Sequence, residues 1–500
     1  MDALESVAPQ SLLYADPQKS ILSNRRTVSI RPMSGNKETS CSNSTRLQFR
    51  LPNVGVLKSC YLAYKIKPTK SGSANDVEFN LDPYAGSASP FGEVIVKSSD
   101  GSEINRTSNY NRWCSIYNRF TKSKQYAENE GSINERNPCW SEDRYNIGMN
   151  EEALSGNAET ADTIRIKSVA GANDAHKRMS VALKSGSSYR LIHEFCENIL
   201  SNDKGYALPL FALGSGLTLE IVCNNKEEVF RVSHLTTAGL ADTKNAFTDV
   251  PTDNISSYDL EDIQLVCDLG HFESSVQQNI SELICDGIKF VVPSVRSQIQ
   301  PVQTAKSTYI LNTHGRSVDA VFGGCRNSGD VNADDRDACS YYEVPDGTVA
   351  NKLSKVQAQV GSETTPSFVM EFGAMSYHEL MKAFKAIDRG THAGGQVSLS
   401  QYTIDGASDD NSTDDDMTPA LRSGTQANVM PPSSLFGFGL RSNPELPNSV
   451  LAGRTSSSGS IPLSVDVEFD SLPSNAELEF YTVSSSVVEM LSDGGVLVSK

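Results

Sequence analysis

The sequence predicts an all-β chain of two sandwich-like halves, with short helices and long loops. Three observations lead there. Apolar residues alternate with period two in the patterned segments, helical spacing occurs in only two stretches, and a polar, proline-containing break lies near the middle of the 500 residues.

Along the chain, residues 1–25 read as an N-terminal arm, 26–250 as the first half and 251–500 as the second. In 46–51, Leu47, Phe49 and Leu51 alternate with Arg46, Gln48 and Arg50; in 59–66, Cys60, Leu62, Tyr64 and Ile66 share one face. Strands with one apolar face are the habit of antiparallel sheets, because parallel sheets are buried on both faces and read as continuous apolar runs. From Asn109 to Thr121 the rhythm changes: Tyr110, Trp113, Cys114, Tyr117 and Phe120 recur at the three-and-four spacing of a helix stripe. Residues 127–180 are rich in Glu, Asn, Ser, Ala and Gly and read as a long loop. Strand pattern returns where Leu217, Leu219, Ile221 and Cys223 stand opposite Thr218 and Glu220.

The division at 250/251 rests on the polar stretch Thr248–Tyr258, which carries Pro251 and precedes the apolar run at Ile263. Ser376 and Glu379 have the spacing of a capping box. Behind them Tyr377, Leu380, Met381, Phe384 and Ile387 form a second helical face that stops at Gly390. The expected packing of both helices is onto a sheet edge. Residues 405–434, with ASDDNSTDDDM and a proline-rich stretch, form another loop; Leu463, Val465, Val467 and Phe469 then alternate with Ser464, Asp466 and Glu468. Strands, a helix and more strands thus occur twice, without a short repeat of the solenoid or propeller kind.

Composition narrows the function. Forty-four basic against 61 acidic side chains give a net charge of −17, which repels phosphate backbones, so no specific nucleic-acid binding is expected. The local basic spots Asn24-Arg25-Arg26 and Arg112 to Lys124, with Arg119 and Lys122, are expected to be solvated faces. No apolar run approaches the length of a membrane span, and the N-terminus lacks a signal-peptide pattern, so the chain is expected to be neither membrane-spanning nor secreted. Ten cysteines lie at least fourteen residues apart with no CxxC, which excludes zinc-ribbon and thioredoxin chemistry and predicts free, buried thiols. The five sequons at Asn43, Asn105, Asn254, Asn279 and Asn411 are chance matches on this reading.

No catalytic constellation closes. His193-Glu194 opens an HExxH pattern, but Glu197 stands where the second histidine must be. Asp330, Asn332 and Asp334 mimic the first ligands of a calcium loop, yet Asp335 replaces its glycine and Tyr341 its last carboxylate. Gly214-Ser215-Gly216 lacks the Gly-Lys-Ser/Thr of a phosphate loop and reads as a turn, and Asp409, Asp410 and Asp414 to Asp416 read as a solvated loop. The seven histidines, at 176, 193, 234, 271, 314, 378 and 392, adjoin no nucleophile-elbow motif. The chain is expected not to be an enzyme, and no residue is assigned to catalysis, to a cofactor or to a metal.

Four strings carry a resemblance. Thr27 to Tyr64 runs from a short strand through a polar turn into an amphipathic strand and the strand ending CYLAY. Residues 85–113, AGSASPFGEVIVKSSDGSEINRTSNYNRW, lead from small residues through a strand to a helix opened by Tyr110-Asn111. The remaining two are Tyr206 to Val222, YALPLFALGSGLTLEIV, and the tail from Asn448 to Lys500. Their order resembles the double jelly-roll major capsid proteins of virophages, polinton-like viruses and adintoviruses; residues 290–430 carry no such likeness.

The resemblance implies two tandem eight-stranded jelly rolls and a major capsid protein that assembles as pseudo-hexameric homotrimers into an icosahedral shell. It also implies residence in the virion and assembly in the host cytoplasm or nucleus. Expected partners are further copies of the chain, penton proteins, and minor capsid or cement proteins, with the inner face toward genome or an internal membrane. Two alternatives stand beside it: a carbohydrate-binding or carbohydrate-processing β-sandwich, and a minor capsid or spike protein of the same virus type.

Overall fold

A computed structural model of the chain describes residues 22–34, 38–70, 77–81, 85–98, 100–123, 183–184, 188–196, 199–200, 208–213, 216–234, 255–272, 288–328, 351–387, 399–402, 434–441, 451–457, 461–491 and 496–499, with single positions 186, 278, 341 and 395. The first strands are β1 (Leu22–Ile30), β2 (Glu38–Ser40), β3 (Arg46–Arg50), β4 (Val56–Lys70), β5 (Val77–Leu81), β6 (Phe91–Ser98) and β7 (Glu103–Ser108). Helix α1 (Tyr110–Thr121) follows, then β8 (Leu183–Lys184), β9 (Tyr189–Glu194), β10 (Leu208–Pro209), β11 (Leu217–Cys223), β12 (Phe230–His234) and β13 (Ile255–Phe272). Next come β14 (Ile288–Pro301), β15 (Lys306–Leu311), β16 (His314–Asn327), β17 (Leu353–Val360) and β18 (Glu363–Glu371). Helix α2 (Ala374–Ile387) precedes β19 (Phe436–Gly439), β20 (Arg454–Ser457), β21 (Leu463–Phe469), β22 (Ala476–Met490) and β23 (Val496–Ser499).

The period-two segments bury the faces that alternation assigns them. Leu47 and Phe49 of β3 are buried, as are Cys60, Leu62, Tyr64 and Ile66 of β4, Leu217, Leu219, Ile221 and Cys223 of β11, and Leu463, Val465, Val467 and Phe469 of β21. Glu220 departs from the pattern. It belongs to the polar face of β11 but is 3% exposed, because Arg46 and Lys97 on the flanking strands reach its carboxylate at 2.5 and 2.7 Å.

Strand order defines the architecture. One layer of the first half runs β1-β13-β4-β10 and the other β3-β11-β6-β7; the second half runs β14-β22-β16-β19 and β15-β21-β17-β18. With the eight main strands of each half numbered in chain order, both give 1-8-3-6 in one layer and 2-7-4-5 in the other. This is the paired Greek key of a jelly roll, executed twice. In both rolls the long helix is inserted between the fifth and sixth strands.

β13 begins after the division expected at 250/251, yet it is hydrogen-bonded between β1 and β4, with Cys267 opposite Val28 on one side and Cys60 on the other. The pairing assigns β13 to the first roll, so the stretch around Pro251 precedes that roll's last strand. A turn signal shows where a strand stops, not which sheet the next strand joins. Likewise Leu22 to Arg25, expected in the N-terminal arm, already belong to β1.

The rolls share a sheet. Parallel pairing of β7 with β14, at Thr107 and Val295, joins β3-β11-β6-β7 edge to edge with β14-β22-β16-β19. One core fills the first roll and continues across this junction through Val295, Phe322, Phe384 and Tyr481; a second, with Val321, Val356, Val465 and Phe480, fills the other roll. α1 does not sit on a sheet edge, being buried on every side from Tyr110 to Phe120, whereas α2 packs chiefly on β19, the end strand of the ten-stranded sheet, and on β16 beside it, as expected. Ser376 is two residues inside α2, and its hydroxyl bonds the amide and carbonyl of Gly373 at 3.0 and 2.9 Å. Glu379 pairs with Lys382 at 2.8 Å, so the expected capping box does not form. Among the described residues no helix is long and apolar enough to cross a membrane.

Candidate functional site

The feature most unlike an ordinary sandwich is the seam where the rolls meet. It starts at Asn109, which holds a left-handed conformation, φ 47°, at the head of α1; Asn tolerates this region better than most residues. The turn aims the Asn109 amide at the second roll, where its Nδ2 donates to Ser297 Oγ on β14 at 2.9 Å and to Glu479 Oε1 on β22 at 2.8 Å. Asn105, on β7, donates to the carbonyl of Pro293 on β14.

One helical turn on, Arg112 continues the bridge. Its Nη1 donates to Glu479 at 3.3 Å and its Nη2 to Glu228 of the first roll at 3.1 Å. Arg326 of β16 lies 3.7 Å from the other Glu479 oxygen and 2.5 Å from Glu477, while the Tyr481 and Tyr341 hydroxyls donate to Glu479 at 2.8 and 2.9 Å. Glu479 is fully buried. Burial alone would push its carboxyl up, but the guanidiniums of Arg112 and Arg326, helped by the two phenols, hold it below the usual carboxylate range. Arg112, 3% exposed, is correspondingly held well above its ordinary value: burial opposes its charge and the carboxylates of Glu479 and Glu228 outweigh that.

Aromatic packing surrounds this polar knot. Trp113 of α1 meets Phe322 and Tyr481 of the second roll, both with ring centroids 5.5 Å away, and Phe120 stacks on Phe384 of α2 at 5.4 Å. Phe384 in turn lies 4.5 Å from Phe322. The helix stripe recognised in the sequence is therefore the wedge between two sandwiches. Arg112 and Arg119, expected on a solvated face, are 3% and 8% exposed. That expectation fails because α1 has no wet side, so its charged residues must find buried partners.

The catalytic patterns fare differently. His193 and Glu194 lie on strand β9, not on a helix. His193 Nε2 is 2.8 Å from the Tyr110 hydroxyl and Nδ1 is 3.2 Å from Ser87 Oγ, and the Tyr110 oxygen also accepts the Cys196 amide at 3.0 Å. Burial lowers His193 to about 3, and a histidine that is neutral and doubly bonded in a core is a structural pin. Gly216 holds φ +84° and its amide bonds the Leu213 carbonyl at 3.0 Å, the geometry of a turn. The calcium-loop mimic at Asp330 to Asp335, the acidic stretch Asp409 to Asp416, and the loop 127–180 lie outside the described residues. Among the described residues no group of three or more His, Cys, Asp or Glu side chains has metal-holding geometry, and all seven described cysteines are buried free thiols.

Sequence reasoning missed Glu479, Arg326, Asn109 and Tyr341 as members of one cluster. Glu479 stands 367 positions from Arg112, and alternation in β22 marks it as an ordinary polar-face residue. The helix stripe from Asn109 to Thr121 and the Tyr110-Asn111 pair at its start pointed to this region, but not to its partners in the second roll.

No protein family's sequence profile matches the chain, and no curated protein matches it in sequence. Solved structures do match. The Faustovirus major capsid protein superposes with a TM-score of 0.56 at 9% identity, over 98% of this chain and 94% of that one. A chain of the Sputnik virophage structure gives 0.54 at 12% identity over 98% and 92%, and one of the PBCV-1 virus capsid 0.52 at 10% identity over 98% and 99%. By fold, the chain is a double jelly roll of the kind seen in these viral proteins.

Proposed function

We propose that the chain is a major capsid protein that self-associates as pseudo-hexameric homotrimers, which in turn tile an icosahedral viral shell. The observation that carries the proposal is the repeated strand order: the same jelly roll occurs twice in one polypeptide, with the helix inserted at the same point, over nearly the full length of the viral chains it resembles. Two similar rolls per chain make three chains a six-lobed unit, the shape a hexagonal lattice needs. A buried seam of ion pairs and stacked rings suits this role, since lobes that moved against each other would blur the edges of a tile. The first roll then spans β1 to β13 and the second begins with β14.

The work of such a protein is interface free energy and not covalent chemistry. His193, the most catalytic-looking side chain, is spent on holding Tyr110 and Ser87. Further partners in the virion would be penton and minor capsid or cement proteins, with the inner face toward genome or an internal membrane.

Sedimentation of the purified protein tests the reading. The expected particle has three times the 54.1 kDa chain mass and a hexagonal outline with threefold symmetry in negative stain. A stable monomer at micromolar concentration overturns it.

A further inference from the structure

Three features are left over from the seam and the fold: a cleft at one end of the second roll beside Arg441 and Arg454, exposed apolar side chains Phe368, Val369 and Met375 near the free edge strand β18, and paired thiols inside the first roll. The cleft adjoins residues outside the described set, and nothing indicates what would cover the apolar edge. The thiols carry an argument.

Cys60 and Cys267 lie directly opposite each other on the antiparallel strands β4 and β13, more than two hundred positions apart in sequence. Both side chains are buried in the same core, where the Cys60 thiol also lies 3.8 Å from the Leu200 carbonyl. Opposed residues of an antiparallel ladder have Cα atoms about 4.5–5.5 Å apart. Disulfides span Cα separations of about 4.4–6.8 Å, so the sheet already sets this pair at bonding range. β4 and β13 are neighbours in the middle of a layer, and β13 is the strand that closes the roll. A bond here would tie the last strand of the roll to its third.

We propose that Cys60 and Cys267 form a thiol–disulfide staple of the first jelly roll, open in reducing solution and closed by exchange with a disulfide oxidant such as oxidised glutathione. The exchange balances: one thiolate attacks the oxidant and releases one reduced glutathione, then the second thiolate attacks the mixed disulfide and releases the other. Two protons leave the protein and two electrons pass to the oxidant. The neighbouring Cys267 thiol, together with burial, pushes the Cys60 thiol up, and burial shields both sulfurs, so closure proceeds through transient opening of β13 or during folding, and is slow in the native chain. The staple removes conformations from the unfolded chain across a very long loop, where the loop-closure effect is largest.

The experiment uses the full chain, purified in reductant and then held in glutathione buffers from fully reduced to fully oxidised, with and without urea below the unfolding transition. The expected result is a loss of two hydrogens in intact mass, a mapped Cys60–Cys267 peptide, closure accelerated by urea, and a thermal midpoint several degrees higher that reductant restores. Cys60→Ala and Cys267→Ala should each abolish the linked peptide and the shift. Peptide mapping of the unsubstituted chain needs neither variant to fold. The proposal is overturned if Cys60 and Cys267 remain thiols after refolding in oxidised buffer, if either stops at a glutathione adduct, or if the link forms elsewhere, as between Cys41 and Cys223, which are buried in the same core. None of these readouts depends on assembly, so the capsid reading and the staple fail separately.

Discussion

A carboxylate taken out of water loses its hydration, and Glu479 regains that loss only through Arg112, Arg326, two phenols and the Asn109 amide. Replacing Glu479 by leucine would leave two guanidiniums buried without that partner. A loss of about 3–5 kcal/mol is expected in urea unfolding, much of it recovered when Arg112→Met and Arg326→Met are added. The acid side of the stability curve separates two groups. His193, lowered to about 3 by burial, stays neutral in the fold while the unfolded chain takes up a proton below 6.5. Stability should therefore fall as pH drops from 6.5 toward 3, by about 1.4 kcal/mol per pH unit. Glu479 is held below its ordinary value of 4.5, so its contribution is present above 4.5 and is lost as pH falls through the lower folded value. In thermal melts, His193→Gln should flatten the limb between pH 6.5 and 5 and, below 4.5, leave the part of the loss that Glu479 carries. An unchanged limb would refute the assignment to His193. Neither role is legible in sequence, because each depends on partners brought close by the fold.

At the level of elements, alternation was sufficient for strands and insufficient for helices. Leu219 of β11 and Val465 of β21 are wholly buried, as their period-two positions require. Leu219→Asp or Val465→Asp should leave no cooperative melting transition, since each buries an unpaired charge. Arg50→Ser, on the exposed face of β3, should change stability by less than about 0.5 kcal/mol. For α1 the stripe was visible but its destination was not. Trp113→Ala should cost about 3–5 kcal/mol and loosen the seam, read as new protease cleavage around α1, because Trp113 contacts Phe322 and Tyr481 across it. Gly324 of β16 marks another hidden constraint. A Cβ there would come within 2.5 Å of the Tyr341 ring, which in turn holds Glu479.

For the whole molecule, the net charge of −17 sets a long-range repulsion between copies of the chain. Like-charged chains repel over a Debye length of about 10 Å at 0.1 M salt, shrinking to about 3 Å at 1 M. Light scattering by the purified protein should therefore rise as salt is raised from low to high concentration. Scattering that falls with salt would mean that attractive ion pairs dominate contacts between particles. The seam inside each chain should be insensitive to the same change, since Glu479 and Arg112 are shielded from mobile ions.

The sequence by itself determined what depends on neighbours along the chain: strands with one wet face, two helices, their repetition in two halves, and buried cysteines without a metal or redox motif. Their registers and faces follow from local sterics and the demand that apolar side chains leave water. Tertiary structure alone decided that β13 closes the first roll and not the second, that α1 is a wedge and not an edge packing, and that Arg112, Arg326 and Glu479 form one buried cluster. These facts rest on contacts between positions hundreds of residues apart. Such pairs leave no periodic trace in a single sequence, because either partner alone has the pattern of a surface residue.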